Sequence, residues 1–150
     1  MPIEVTKTKS ETKVLLPGST GFTIFTVKGQ EYEIHRFLEG KGPNLTQTIA
    51  MAESTKGKQM LTLKEAREIR DDSESTATFR NALRPGEWGY VRDQESEARS
   101  FAAYLGHNSG GRRLYAGGYG RPDDASRVVI LKVTSEAAAP QEVAGELRKE

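Results

Sequence analysis

Hydrophobic periodicity changes twice along this chain, and that double switch limits the folds open to it. Residues near the N-terminus alternate with period two. The middle repeats every three to four residues, and the last part alternates again. A strand cannot adopt a helical pattern without moving its apolar set to the wrong face, so the order is β, then α, then β. Sequential β and α blocks of this kind predict an α+β domain whose sheet is completed by pairing between distant segments.

The N-terminal block opens on Lys13-Val14-Leu15-Leu16, which stops at the turn residues Pro17-Gly18-Ser19-Thr20-Gly21. Phe22 to Val27 and Glu31 to Leu38 are rich in β-branched and aromatic residues, and Lys28-Gly29-Gln30 separates them. Two such runs around a short glycine-containing loop predict an N-terminal hairpin. Alternation puts Tyr32, Ile34 and Arg36 on one face and Glu33, His35 and Phe37 on the other, with His35 half-buried. The middle block predicts two to three short helices. Asn44 with Gln47, and Thr62 with Glu65, have capping-box spacing. Leu45, Ile49 and Ala52 make one stripe, and Gly57 is a stop. Asp71-Asp72-Ser73 ends the second helix and caps a third, which Pro85-Gly86 terminates.

From Trp88 the pattern predicts C-terminal antiparallel strands at Trp88 to Val91, Ala98 to Leu105, Arg112 to Ala116 and Arg127 to Val133. Gly106 to Gly111 reads as a turn, and Gly117 to Asp124 as an irregular loop. Residues 1–134 read as one domain and residues 135–150 as a flexible or helical tail. The longest aliphatic run, Val128 to Leu131, is far below the roughly 20 residues needed to cross a bilayer. With no apolar leader at Met1 to Lys7, the expectation is a soluble cytoplasmic protein without membrane insertion.

Catalytic and metal motifs are sparse. The chain has no Cys, which removes thiol nucleophiles, disulfides and Cys-ligated zinc or iron–sulfur sites. There is no Walker phosphate loop and no dinucleotide-binding fingerprint. Gly106-His107-Asn108-Ser109-Gly110 spaces its serine differently from a nucleophile elbow, so a small hydrolase using Ser109 is a lesser alternative. His35 and His107 are the only histidines, and neither sits in a metal-ligand array. The reading is therefore non-enzymatic, with no cofactor and no metal.

The densest recognition chemistry is C-terminal: Tyr104, His107, Asn108, Arg112, Arg113, Tyr115, Tyr119 and Arg121, with three glycines at 117, 118 and 120. Tyr and Arg give large contact area and bidentate hydrogen bonds at low entropic cost, as protein-binding hot spots require. They also stack on bases and pair with phosphates. From Arg84 to Arg127, seven Arg face six acidic residues, and the whole chain carries a net charge of +1. That balance favours a protein or surface ligand over nucleic acid, which stays as the alternative partner.

One segment resembles a known family. Gly57-Lys58-Gln59-Met60-Leu61-Thr62-Leu63-Lys64-Glu65-Ala66 is similar to the helix-ending Gly and "Arg-Leu-Pro-Thr-x-x-Glu" segment of the C-type-lectin-like fold, in its formylglycine-generating-enzyme-like branch. Thr62 and Glu65 match, while Gln59, Met60 and Leu61 depart. The resemblance implies a small C-type-lectin-like domain that displays C-terminal loops to ligands or proteins, and association with a virion or mobile element is compatible with it. It does not carry over oxidase chemistry, because the cysteines are missing. Nor does it carry over the calcium-dependent sugar signature, because Arg121 precedes Pro122-Asp123.

Overall fold

The computed structural model describes residues 16–108, 110 and 113–134. The hairpin is tight: β1 (Gly21–Val27) pairs with β2 (Gln30–Arg36), and Val27 lies opposite Gln30. Lys28 and Gly29 both have positive φ, 52° and 80°, as a type I′ turn requires. The Lys28 ammonium reaches Asp72 Oδ1 at 2.7 Å, which ties the turn to a helix start.

The three expected helices form, and each begins at its expected cap. Asn44 and Gln47 exchange hydrogen bonds at the start of α1 (Leu45–Glu53). Thr62 and Glu65 do the same for α2 (Leu63–Asp71), which follows the short β3 (Lys58–Met60). Asp72 accepts from the Ser75 amide to open α3 (Ser73–Ala82). β4 (Trp88–Val91) follows as expected.

The next stretch differs from the expectation. Ala98 ends a fourth helix, α4 (Gln94–Ala98), and does not begin a strand; Asp93 caps that helix by accepting from Ser96. β5 then runs Ala102–His107, so His107 belongs to a strand and not to the turn. Gly117 to Gly120, expected as loop, complete β6 (Leu114–Gly120). The final strand, β7 (Val128–Val133), is as expected. The expected strand at Lys13 to Leu15 and the tail at 135–150 lie outside the described residues.

The strands make two antiparallel sheets, ordered β1-β2-β7-β3 and β4-β5-β6. No helix among the described residues is long and apolar enough to cross a membrane. β7 is central to the larger sheet, and its run Val128-Val129-Ile130-Leu131 is wholly buried. Val128 and Ile130 join Tyr32 and Ile34 against Ala66, Ile69 and Phe79 of the helices and Val91, Ala103 and Leu105 of the smaller sheet. On the opposite face, Val129 and Leu131 pack with Phe37, Met60, Leu45 and Ala52, and with Tyr90 and Ala102. A continuous aliphatic run is what a strand covered on both faces needs.

Backbone hydrogen bonds also join the sheets. The Arg92 amide donates to Leu61 O at 2.8 Å, and Leu63 N donates back to Arg92 O at 2.8 Å. Further along, the Arg127 amide donates to Trp88 O at 3.1 Å, and Gly89 lies against Val128. A Cβ on Gly89 would stand 2.7 Å from Val128 O, so only glycine lets β4 come this close. Gly89→Ala is therefore expected to destabilise the fold by about 1–3 kcal/mol, as an overpacked core position does. Chemical denaturation measures this directly, and an unchanged midpoint would refute the close contact.

His35 is fully buried and not half-buried as the alternation implied. Phe22 stacks on it at 5.1 Å, and its Nε2 lies 2.9 Å from Glu33 Oε1. The other Glu33 oxygen accepts from Lys58 at 2.6 Å. Burial alone would raise the Glu33 carboxyl, but the hydrogen bonds from His35 and Lys58 outweigh it and hold the group at about 2. A carboxyl lowered from 4.5 to about 2 stabilises the fold fully above 4.5, and that contribution is lost as pH falls through this window. Glu33→Gln is expected to flatten the part of the stability–pH curve that lies between these values. Unfolding midpoints measured across that range check this, and a mutant curve parallel to wild type would contradict it.

Candidate functional site

The smaller sheet has one apolar face turned into the larger core cluster and one aromatic face, where Tyr90 and Ala102 are buried with Val129 and Leu131 while Trp88, Tyr104 and Tyr115 stay half-buried. Register decides which residues share the outer side. Trp88 lies opposite Gly106, and Gly106 opposite Tyr115; Tyr90 lies opposite Tyr104, and Tyr104 opposite Gly117. Each row across the sheet therefore holds two large rings and one glycine.

The glycines are what allow the rings to lie down. A Cβ on Gly106 would fall 2.5 Å from the Tyr115 ring and 2.7 Å from Trp88 Cβ. A Cβ on Gly120 would fall 2.7 Å from the Tyr104 ring. Tyr115 thus rests over Gly106 and Tyr104 over Gly120, where any other residue would push them away. Neighbouring rings meet edge to face: Trp88–Tyr90 at 5.1 Å and 80°, Trp88–Tyr104 at 6.4 Å and 75°, and Tyr104–Tyr115 at 5.5 Å and 70°. These are favourable quadrupole arrangements, so the cluster holds its own shape.

The loop after β6 forms the rim. The buried Tyr90 hydroxyl donates to the backbone oxygens of Arg121, at 2.8 Å, and Asp124, at 2.6 Å. Burial, followed by the Asp124 and Asp123 charges, pushes that hydroxyl up to about 12, so it remains a donor at any physiological pH. Arg121 and Asp124 stand on the rim, with Arg121 Nε 3.9 Å from Asp124 Oδ1. Rings and rim enclose an open-mouthed pocket of about 280 Å3.

Of the eight residues expected to form one surface, the structure brings three together here: Tyr104, Tyr115 and Arg121. Asn108 and Arg113 are exposed at the β5–β6 turn, where the Asn108 amide donates to Arg113 O at 2.9 Å. His107 is buried, contrary to a surface role. Its Nδ1 lies 2.7 Å from Leu83 O, so it pins the end of α3 to β5. Tyr119 is exposed but pairs with Phe101 at 5.7 Å, outside the pocket lining. A bulge explains this: Ala102 faces Gly120 while Tyr104 faces Gly117, so β6 carries an extra residue. Gly117 and Gly120 both end up under Tyr104, and Tyr119 is displaced from that face. Arg112 and Ser109 lie outside the described residues.

Trp88, Tyr90 and Asp124 complete the pocket, and the residue pattern did not single them out. Trp88 and Tyr90 stand two apart in one strand, and that spacing alone assigns them a shared face.

Comparisons of the chain with protein-family models, with curated proteins and with solved structures found no match in any of the three.

Trp88 is the only tryptophan in the chain, so its emission reports on this pocket. Gly106→Ala is expected to displace the Tyr115 ring and shift Trp88 emission while the far-UV circular dichroism stays native. Emission identical to wild type would contradict the packing described.

Proposed function

We propose that this domain is a non-enzymatic binding module, and that its ligand surface is the aromatic pocket on the outer face of β4-β5-β6. The observation that carries the reading is the glycine-floored cluster of Trp88, Tyr104 and Tyr115. Three large rings stay half-buried around one pocket, with Arg121 and Asp124 at its edge. Concave, mostly apolar sites with a few polar groups at the edge are where ligands bind. Rigid aromatics make good anchors, because little side-chain entropy remains to be lost on binding.

The scaffold is proposed to be C-type-lectin-like. Support comes from the Thr62–Glu65 capping box and from the α+β order with two antiparallel sheets. The partner is a protein or surface ligand, not nucleic acid, since Asp123 and Asp124 closely follow Arg121 and repel phosphates.

Amide chemical-shift mapping against separate pools of oligonucleotides, glycans, small amines and peptides tests this. Shifts are expected to centre on Trp88, Tyr104, Tyr115 and Asp124, and Tyr104→Ala should weaken binding by about tenfold or more. Arg113→Ala, at the turn, should leave binding unchanged. Shifts centred on the β5–β6 turn would overturn the reading, and a steep loss of oligonucleotide binding with salt would transfer it to nucleic acid.

A further inference from the structure

We propose that the pocket between Trp88, Tyr104 and Tyr115 holds a methylated ammonium group, with Asp124 as its counter-charge. This rests on the binding-module reading and names the chemistry of the ligand.

Ring orientation is the first support. Trp88 and Tyr104 stand at 75° to each other, and Tyr104 and Tyr115 at 70°, around one cavity. A base or other flat ring stacks on the face of one ring and gains little from further rings inclined to it. A compact cation is instead attracted to each ring face it meets, because every aromatic face carries the negative part of the ring quadrupole. Rings of differing orientation about one space suit a rounded cation. Tyrosine and tryptophan are also the better ring types for this interaction.

Charge at the rim is the second support. The lining holds one carboxylate, Asp124, beside one guanidinium, Arg121. Arg121 is four-fifths exposed, and its 3.9 Å approach to Asp124 is the loose kind of surface pair that adds little stability. A cation seated in the pocket therefore competes with Arg121 for the same carboxylate at small cost. The raised Tyr90 hydroxyl on the inner wall reflects its burial and, after it, the charges of Asp124 and Asp123.

Size is the third. The pocket, about 280 Å3, lies just below the range of drug-sized small-molecule sites, which begins at roughly 300 Å3. A trimethylammonium head fits this volume. The head has no hydrogen-bond donor to satisfy, so it needs ring faces and one carboxylate, and the lining holds Trp88, Tyr104 and Tyr115 together with Asp124.

Trp88 emission reads the test directly. The intact protein is titrated with choline and, in parallel, with 3,3-dimethylbutanol, which has the same shape without the charge. Choline is expected to saturate the emission change at a concentration about tenfold lower than the neutral analogue. Asp124→Asn should weaken choline severalfold and leave 3,3-dimethylbutanol unaffected, and Arg121→Ala should strengthen choline or leave it unchanged. Tyr115→Ala, checked for native circular dichroism, should weaken both. A peptide bearing trimethyl-lysine, if bound more tightly than choline, assigns the group to a protein side chain; the reverse order assigns it to a free molecule, and either supports the proposal. Equal midpoints for choline and its neutral analogue overturn it, as does silence to both. Acetate or phosphate binding that Arg121→Ala abolishes overturns it in favour of an anion. In all of these failures the binding-module reading stands if another pool shifts the pocket amides, and it falls separately if shifts centre elsewhere.

Discussion

Burial of β7 on both faces is the constraint on which the rest of the structure depends. Each fully buried aliphatic side chain contributes about 1.5–3 kcal/mol, and Val128 through Leu131 place four of them in succession. Val128 and Ile130 need α2, α3 and the smaller sheet as cover; Val129 and Leu131 need α1. The strand pairs with β2, whose residues lie almost a hundred positions earlier, and with β3. The helices between them are thereby gathered around it. The helical middle packs on this strand together with the hairpin, β3 and the smaller sheet.

The same strand positions the pocket. Gly89 lets β4 rest on Val128, and the Arg127–Trp88 backbone hydrogen bond fixes β4 against the start of β7. Once Val91, Ala103 and Leu105 are committed to the core, alternation forces Trp88, Tyr90 and Tyr104 to the other side. The outer face is thus a consequence of the inner one. Glycines at 106 and 120 then decide that the rings lie across the sheet, and the bulge in β6 decides that Tyr119 does not join them.

Local signals in the sequence were sufficient where the physics is local. The two capping boxes, the Asp72 cap and the Lys28–Gly29 hairpin each involve residues within a few positions of one another, and all form as their spacing implies. The order of β and α blocks was legible for the same reason. Two features depended on distant partners. Gly117 to Gly120 read as loop because glycine is a poor strand former, yet the Tyr104 ring packs where side chains of Gly117 and Gly120 would be. His107 carried the polarity of a turn residue, but Leu83 O gives it a buried partner 24 positions away. The α4 helix is local, but its five residues are too short to show a helical period, and the apolar alternation of Phe101 to Leu105 runs back over Ala98 and masks the Asp93–Ser96 cap. At the site, Tyr104, Tyr115 and Arg121 were visible as residue types suited to recognition, while Trp88 and Tyr90 come to them only through β4–β5 register.

A pocket formed this way is preorganised only if the smaller sheet opens together with β7 and not before it. Native-state hydrogen exchange measures that coupling residue by residue. Amides of β4 and β5 are expected to exchange with the same opening free energy as those of β7, through global unfolding alone. Exchange of β4 and β5 at distinctly lower free energy, with β7 still protected, would show that the aromatic face is not held by the central strand.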